Sequence, residues 1–353
     1  MNDGPGGAPR VSVVLRTKDR PRLLAEALES LRAQTDPDFE TLVANDGGAI
    51  DSAILEPAPG RRLRLLTPPA PGGRTRALNA GLAAATGRYV AYLDDDDLYH
   101  PDHLASLAGF LDGTDEYGAA YSSVEQVVQT LGADGRYHDA GTRFVFGHAF
   151  DRDRILFKND VPLIGLMHRR ELGERAGGFD ETFDLFEDWD FLVRLSRLTP
   201  LHHHPAVTAV YRVRDDGSNA TTGAPWLGEA AQAARRQLFA KHAALRGPES
   251  EMAVIDSLDR DLWESRGEIR RMGEALAARE NEAAGARARI ARLEEDLRSL
   301  RADMARSGQA SGERESAAAK QAADLARQLD AVHRSLWWRL ATPWWTLKGL
   351  LKR

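Results

Sequence analysis

The sequence predicts an α/β domain with a mainly parallel β-sheet, followed by a long helical coiled coil. Over roughly the first 215 residues, short β-branched apolar runs alternate with segments of helical periodicity. This alternation is typical of parallel strands joined by right-handed helical crossovers. From about residue 250 to about residue 335 the chain is rich in Ala, Glu, Arg and Leu and lacks proline, which favours one long helix.

Four strands and two helices are predicted, in alternating order, for the N-terminal part. The strands are short apolar runs at residues 11–15, 39–48 (which includes a turn), 63–67 and 88–93. The first helix, residues 20–34, has leucines at helical spacing and Pro21 in its first turn. The second helix, residues 72–87, is expected to end at Gly87.

The composition narrows the class of protein. A net charge of −6 without a basic excess argues against a nucleic-acid-binding protein. The absence of cysteine excludes disulfides, cysteine–zinc sites and cysteine nucleophiles, and it is consistent with a reducing cytoplasm. The N-terminal residues lack the apolar core of a signal peptide, and no run is apolar for the length of a membrane span. We therefore expect a cytoplasmic protein that is soluble or peripheral to a membrane.

Polar clusters follow three of the predicted strands. They comprise residues 17–19, Asn45 with Asp46, and residues 94–97, which are four consecutive aspartates. In parallel sheets, ligands bind beyond the carboxyl ends of the strands. We therefore expect the three clusters to meet at one edge of the sheet.

The aspartate run predicts a metal site, with Asp94, Asp95 and Asp96 as the candidate residues. Carboxylates held close together repel each other, which raises their pKa values unless a cation compensates. Mg²⁺ and Mn²⁺ prefer oxygen ligands and often share substrate phosphates. We expect a divalent metal that carries a phosphorylated ligand, and a solvated acidic turn is the alternative.

A heptad pattern extends through the C-terminal part of the chain. One row recurs every seven residues at Ile255, Leu262, Ile269, Leu276, Ala283, Ile290, Leu297, Met304, Ser311, Ala318, Leu325 and Val332. A second row lies three residues further along at Leu258, Met272, Ala286, Leu293 and Leu300. The two rows predict the a/d seam of a coiled coil and self-association of the chain. The pattern weakens at residues 307–313, and a single solvated helix is the alternative.

Residues 334–353 form a basic tail that contains four of the seven tryptophans, five Arg or Lys residues and no acidic residue. Tryptophan rings lie at the level of lipid headgroups, and cations are attracted to anionic lipid. The tail predicts binding to an anionic membrane surface. Docking on a partner or on the catalytic domain is the alternative.

Three blocks of the sequence together resemble a family 2 glycosyltransferase with the GT-A fold. They are "VSVVLRTKDRPRLLAEALESLRAQTDPDFETLVANDGG", "LNAGLAAATGRYVAYLDDDD" and "GGFDETFDLFEDWDFLVRL". The resemblance covers about residues 10–215 and implies a nucleotide-sugar donor, a DxD-type site for Mn²⁺ or Mg²⁺, and transfer with inversion. The predicted organisation is a flexible N-terminal tail (1–9), a GT-A domain (10–225), a helical segment and linker (226–250), a coiled coil (251–333) and the basic tail.

The resemblance also implies roles for individual residues. Thr17 and Asp19 match the family's first nucleotide loop, and Asp46 matches an aspartate that hydrogen-bonds the base. Asp94 to Asp96 match the DxD element, with Asp96 on the metal and Asp94 or Asp95 on the ribose or sharing the metal. Asp188 matches the catalytic base, with Glu187 and Asp190 as rivals. A carboxylate at the N-terminus of the helix that begins there is expected to stay ionised.

Several further candidates stand where the chain departs from the family pattern or where the family binds its substrates. Arg16 and Lys18 replace residues that are often proline and aromatic, so they are expected to contact phosphate. The family often has an arginine directly before the asparagine that corresponds to Asn79. Arg76, or Arg74, is expected to supply that positive charge from one turn away. The remaining candidates are Arg212 and Arg214, near the diphosphate, and His168, in the expected acceptor wall at residues 158–170.

The tail resembles Trp–Arg tails that follow coiled coils in bacterial enzymes acting on lipid-linked surface polysaccharides. The sequence therefore predicts a metal-dependent inverting glycosyltransferase that extends a lipid-linked glycan at the inner face of the cell membrane. Two alternatives are a transferase with a soluble or protein acceptor and a catalytically inactive coiled-coil scaffold.

Overall fold

The computed structural model describes residues 7–57, 60–67, 72–214, 228–306, 319–328 and 330–331. The chain forms two compact units, Met1–Asp256 and Ser257–Arg353. The first unit is built on a mixed nine-stranded sheet, and the second contains most of a 59-residue helix. The predicted α/β fold followed by a long helix is confirmed.

The strands are β1 (Val11–Thr17), β2 (Phe39–Asn45), β3 (Arg62–Leu66), β4 (Tyr89–Asp94), β5 (Leu98–Tyr99), β6 (Ala119–Leu131), β7 (Tyr137–Phe146), β8 (Leu166–Arg169) and β9 (Leu201–Arg214). The helices are α1 (Pro21–Arg32), α2 (Arg74–Ala84), α3 (His103–Asp112), α4 (Arg170–Arg175), α5 (Glu187–Ser196), α6 (Glu229–Lys241) and α7 (Pro248–Arg306). The sheet order is β3-β2-β1-β4-β8-β6-β9-β5, with β7 paired to β6. The four predicted strands pair in parallel, β6 and β9 form a second parallel pair, and β8 joins β4 in an antiparallel pair.

The register of the parallel strands brings their carboxyl ends level. Thr17 at the end of β1 lies beside Asn45 at the end of β2, and Arg16 lies beside Asp94 at the end of β4. The polar clusters that follow these strands therefore emerge at one edge, as the parallel arrangement predicts.

Helices cover both faces of the sheet. Val13 and Leu15 of β1 belong to the same apolar cluster as residues of α1 and α3. Val14, between them, belongs to a second cluster with residues of α2 and α5. Since alternate strand residues point to opposite faces, β1 is buried on both sides. This burial explains the continuous apolar runs of the central strands.

The helix ends follow the local sequence in one case and the tertiary packing in another. α1 begins at Pro21, where the missing N–H costs nothing. α2 ends at Ala84, so the predicted end at Gly87 is wrong. A Cβ on Gly87 would lie 2.6 Å from the backbone nitrogen of Ser12. Gly87 is therefore required by a close backbone approach to β1 and not by a helix end.

The long helix α7 begins at Pro248, inside the segment predicted as a linker, and continues to Arg306. The weakened heptads at residues 307–313 and the basic tail at residues 334–353 lie outside the described residues. Among the helices that are described, none has both the length and the apolar character needed to cross a membrane.

Candidate active site

A cavity of about 520 Å³ opens at the carboxyl ends of the parallel strands. Its wall includes residues 16–18 at the end of β1, Asp46 after β2, and residues 94–97 at the end of β4. Glu187 and Asp188, at the start of α5, complete this wall. The volume lies in the range of small-molecule sites. The structure thus brings together residues that are up to 172 positions apart in the sequence.

Three of the four consecutive aspartates form a group that fits a metal ion. Asp94, Asp96 and Asp97 each offer a carboxylate oxygen, and these oxygens lie within 4.8 Å of one another. A turn in which the Asp97 N–H donates to the Asp94 carbonyl, at 3.1 Å, brings Asp97 back toward Asp94. An all-oxygen set of carboxylates has the chemistry that Mg²⁺ and Mn²⁺ prefer. Sequence reasoning missed Asp97, although an i to i+3 turn at the strand end was the available signal.

Asp95 is held apart from this group. Its Oδ2 accepts a hydrogen bond of 2.7 Å from the Thr17 hydroxyl, and its Oδ1 lies 3.3 Å from an Arg20 nitrogen. Burial raises the pKa of Asp95 to about 6, against the opposing charge of Arg20. Asp95 and Thr17 therefore link the loops after β4 and β1, although both line the cavity.

Cations surround the acidic group and limit its mutual repulsion. Arg20 and Arg214 reach Asp96 Oδ2 at 2.9 Å and 2.8 Å. Burial acts to raise the pKa of Asp96, but Arg20 and Arg214 outweigh it and lower this pKa. By contrast, burial and the charges of Asp96 and Asp94 raise the pKa of Asp97 well above its usual range.

Arg212 and Arg214 contact the acidic group as buried residues of β9. The backbone N–H of Arg212 donates a hydrogen bond of 2.9 Å to Asp97 Oδ1, and the Arg214 side chain is completely buried. Neither residue lines the cavity, so the structure assigns them to the support of the aspartates and not to a bound diphosphate. Arg20, which the sequence reasoning passed over, lines the cavity instead. Its place in the same loop as Thr17 and Asp19 was the available signal.

Asp46 is fixed by the loop before α2. Its Oδ1 accepts hydrogen bonds from the backbone N–H groups of Gly72 and Gly73, at 2.8 Å and 3.0 Å. The ammonium group of Lys18 lies 3.3 Å from Asp46 Oδ2. Burial opposes ionisation, but the Gly72 N–H and Lys18 hold the pKa of Asp46 below its ordinary value. The result is an ionised carboxylate of fixed orientation in the cavity wall.

Asp19 lies outside the cavity wall and supports the turn after β2. Its Oδ1 accepts a hydrogen bond of 2.8 Å from the Gly48 N–H, and its own φ is +54°. A Cβ on Gly47 would lie 2.5 Å from this oxygen. The loops after β1 and β2 therefore fit together only with glycine at position 47.

Asp188 is the second residue of α5 and lines the cavity. Burial, followed by the negative charge of Glu187, raises its pKa to about 6, while Arg74 and Arg16 act to lower it. Desolvation therefore outweighs the helix N-terminus and places the pKa above its ordinary value, although a carboxylate of this pKa is still largely ionised at neutral pH. A carboxylate with a pKa near 6 is suited to accept a proton near neutral pH.

Ion pairs through Arg16 connect Glu187, the residue before Asp188, with Asp94 of the acidic group. Glu187 is 2% exposed and lies 2.7 Å from Arg74 Nε and 3.3 Å from Arg16 Nη1. The other nitrogen of Arg16 donates to Asp94 at 2.5 Å. Arg16 therefore bridges two carboxylates in the wall, and its guanidinium is engaged before any phosphate binds.

Three more of the predicted site residues, besides Asp19, Arg212 and Arg214, lie away from the cavity. His168 is completely buried against Tyr92, whose hydroxyl lies 2.8 Å from its Nε2, and burial lowers its pKa to about 4. Asp190 is completely buried and lies 2.8 Å from His242 Nε2. The hypotheses that His168 touches a substrate and that Asp190 is the base are corrected accordingly. Arg76 is more than half exposed and pairs with Glu181, whereas Arg74 lines the cavity.

One side of the cavity is apolar. Phe146 at the end of β7 and Tyr211 of β9 line it together with residues 162–164. Part of the segment expected to form an acceptor wall, residues 158–170, thus reaches the cavity. The two aromatic residues were missed, because no local pattern indicates that β7 and β9 end beside the aspartates.

Comparisons with known proteins find glycosyltransferases. The chain matches the family model "Glycosyl transferase family 2" over residues 12–164. It is 32% identical over 193 residues to the PGL/p-HBAD biosynthesis glycosyltransferase of Mycobacterium tuberculosis, covering 53% of this chain and 70% of the relative. It is 27% identical over 246 residues to the uncharacterized glycosyltransferase YwdF of Bacillus subtilis, covering 70% and 89%. Among solved structures, the mannosyltransferase PcManGT of Pyrobaculum calidifontis with GDP-Man and Mn²⁺ is similar with a TM-score of 0.44 at 18% identity, covering 74% of this chain and 83% of that one.

Proposed function

Since the chain belongs to glycosyl transferase family 2 and has the GT-A fold, we propose that it transfers a sugar from a nucleoside-diphosphate sugar to an acceptor hydroxyl. The reaction takes place in the cavity and inverts the configuration of the anomeric carbon. One observation carries the proposal. The acidic group, Asp46 and Asp188 line a single cavity of about 520 Å³. A binding carboxylate, a metal-binding group and a base candidate are the parts that such a transfer requires.

The donor occupies the side of the cavity formed by β1, β2 and β4. Asp46 is an ionised, fixed acceptor for N–H or O–H groups of the nucleoside. Asp94, Asp96 and Asp97 would hold Mn²⁺ or Mg²⁺, which when bound neutralises charge on the leaving diphosphate. Lys18 and Arg20 also line the cavity and place positive charge beside the phosphates.

Asp188 acts as the general base. Its carboxylate accepts the proton of the acceptor hydroxyl while that oxygen forms a bond to the anomeric carbon. The bond from this carbon to the diphosphate oxygen breaks with its electron pair, and the nucleoside diphosphate departs. A single displacement from the face opposite the leaving group inverts the anomeric configuration.

The acceptor approaches along the apolar side of the cavity, beside Phe146 and Tyr211. We further propose that this acceptor is a lipid-linked surface glycan reached at the inner face of the cell membrane. The support for this is compositional: the Trp-rich basic tail at residues 334–353 suits an anionic lipid surface. A soluble or protein acceptor is the alternative if the tail binds a protein.

An inactive scaffold is a less suitable account. A domain without activity has no physical need to bury Asp95, Asp96 and Asp97 beside compensating arginines, since buried charges are costly to maintain. If the wild-type protein binds no nucleotide sugar in the presence of a divalent metal, the scaffold would be the better account.

The variant Asp188→Asn tests the proposal. A thermal-shift screen of nucleotide sugars with Mn²⁺ or Mg²⁺ first identifies the donor, and transfer of labelled sugar to a lipid extract then follows turnover. We expect Asp188→Asn to bind the donor normally and to lose transfer by about 10²–10⁴-fold. Asp115→Asn, at an exposed loop position, is the matched control. Near-normal transfer by Asp188→Asn would place the base elsewhere.

A further inference from the structure

Helix α7 carries an apolar row that the single chain leaves exposed along its first part. Five residues at a and d heptad positions between 255 and 272 are 43–69% exposed: Ile255, Leu258, Leu262, Ile269 and Met272. Further along the same seam, Ala283, Leu293 and Leu297 are buried. An exposed row of large apolar residues on a regular helix marks an interaction surface. The charges beside the row identify the partner and its direction.

The charges that flank the seam are complementary to those of a second copy. In a parallel, in-register pair of helices, each g residue faces the e residue five positions later on the partner. Four such pairs in α7 consist of two charged residues, and each joins opposite charges: Asp261–Arg266, Glu282–Arg287, Arg289–Glu294 and Asp296–Arg301. Between residues 254 and 301, no g–e pair joins two like charges.

An antiparallel pair is disfavoured by the same residues. In that arrangement, g positions face g positions of the partner. The charged g residues are mainly acidic, with only Arg289 basic among Asp261, Glu268, Glu282, Arg289, Asp296 and Asp303. Most alignments would therefore oppose carboxylates, which repel.

The seam residues favour two strands. Most a positions carry isoleucine (255, 269, 290) or leucine (262, 276, 297), and leucine stands at d positions 258, 293 and 300, with no isoleucine at any d position between 258 and 300. β-Branched residues at a with leucine at d are the combination that parallel dimers prefer.

We propose that a second copy of this chain binds the seam in a parallel, in-register, two-stranded coiled coil from Ile255 to Arg301. At Ala283, Leu293 and Leu297, which are buried within one chain, the partner helix replaces the part of the same chain that buries them. The dimer brings the N-terminal ends of both α7 helices to the same end of the coiled coil. This surface is separate from the cavity, so its failure would leave the transferase proposal untouched.

The direction of the pair is tested by cysteine cross-linking in the full chain, which has no native cysteine. Ser265 occupies a d position in the seam, and Ser299 occupies an exposed c position on the outer face. A parallel in-register pair brings the two d positions within the Cα separation that a disulfide requires. With copper phenanthroline as oxidant, Ser265→Cys should form a covalent dimer and Ser299→Cys should not. Failure of Ser265→Cys, or equal cross-linking of both, would overturn the parallel in-register arrangement.

Charge reversal tests the partner. One variant changes the e arginines Arg266, Arg287 and Arg301 to Glu, and a second changes the g residues Asp261, Glu282 and Asp296 to Arg. Each variant alone places like charges in six contacts and should dimerise about 100-fold more weakly in analytical ultracentrifugation. An equimolar mixture restores opposite charges and should recover a dimer, and circular dichroism checks that each variant is helical. Wild-type protein that sediments as a monomer or a trimer, or a mixture that stays dissociated, would refute the proposal.

Discussion

A substitution at Glu187 tests whether Asp188 is the general base while Asp188 itself stays unchanged, because it alters only the charge beside Asp188. Its side chain is 2% exposed, adjoins Asp188 in sequence, and forms ion pairs with Arg74 and Arg16. The variant Glu187→Gln keeps the size of the side chain and removes its charge. We predict that this variant lowers the pH at which transfer reaches half of its maximum rate.

The sign follows from the charges around Asp188. Burial and Glu187 raise the pKa of Asp188 to about 6, whereas Arg74 and Arg16 act to lower it. Because only the carboxylate accepts a proton, the wild-type rate should fall as the pH drops through about 6. Glu187→Gln removes a negative charge and leaves the two arginines less compensated, and both effects lower the pKa of Asp188.

The size follows from the proximity of the charges. A neighbouring charge at this range shifts a pKa by about one unit or more. With a base of pKa about 6, the wild type should retain about a tenth of its plateau rate at pH 5. With a shift of about one unit, Glu187→Gln should retain about half of its own plateau rate at pH 5.

The assay is the initial transfer rate at saturating substrates between pH 4.5 and 8. Glu181→Gln is the matched control, since Glu181 is 46% exposed and pairs with Arg76 away from the cavity. The control should keep the wild-type profile. Asp95 also has a pKa of about 6, but its charged neighbours are Arg20 and the other aspartates. A profile that is unchanged in Glu187→Gln, or that moves to higher pH, would therefore show that Asp188 is not the titrating base.

Three further predictions concern the metal site, the acceptor side and the tail. Asp96→Asn should weaken Mn²⁺-dependent binding of the nucleoside diphosphate about 10-fold or more in calorimetry, while keeping an acceptor for the buried Arg214; unchanged affinity would remove Asp96 from the metal site. Phe146→Ala should raise the acceptor KM and leave the donor Kd unchanged, and a weaker donor Kd would assign Phe146 to the donor side. Deletion of residues 334–353 should release the protein from anionic vesicles, and binding of the full chain should weaken with salt; a deletion variant that floats as well as the full chain would contradict the membrane proposal.

The sequence by itself determined the features that depend on local periodicity. The apolar runs of β1, β2 and β4 indicated buried parallel strands, and the heptads indicated a long helix, because side-chain direction repeats every 2 residues in strands and about every 3.6 in helices. The same logic located Asp46 and Asp94 at one edge of the sheet, since parallel strands end on the same side. The position of Asp188 at a helix N-terminus was also readable from the block around it.

Only the tertiary structure decided which of the candidate side chains face the cavity. His168 and Asp190 have the right chemistry, but packing against Tyr92 and pairing with His242 turn them into buried structural groups. Conversely, Phe146 reaches the cavity at a strand end that no local pattern indicates, whereas for Asp97 a turn at the end of β4 was the available signal. The physical reason is that burial and charge partners come from elements distant in sequence. Burial by the surrounding elements, together with the adjacent Glu187, raises the pKa of Asp188 to about 6, which its position at the start of α5 did not predict.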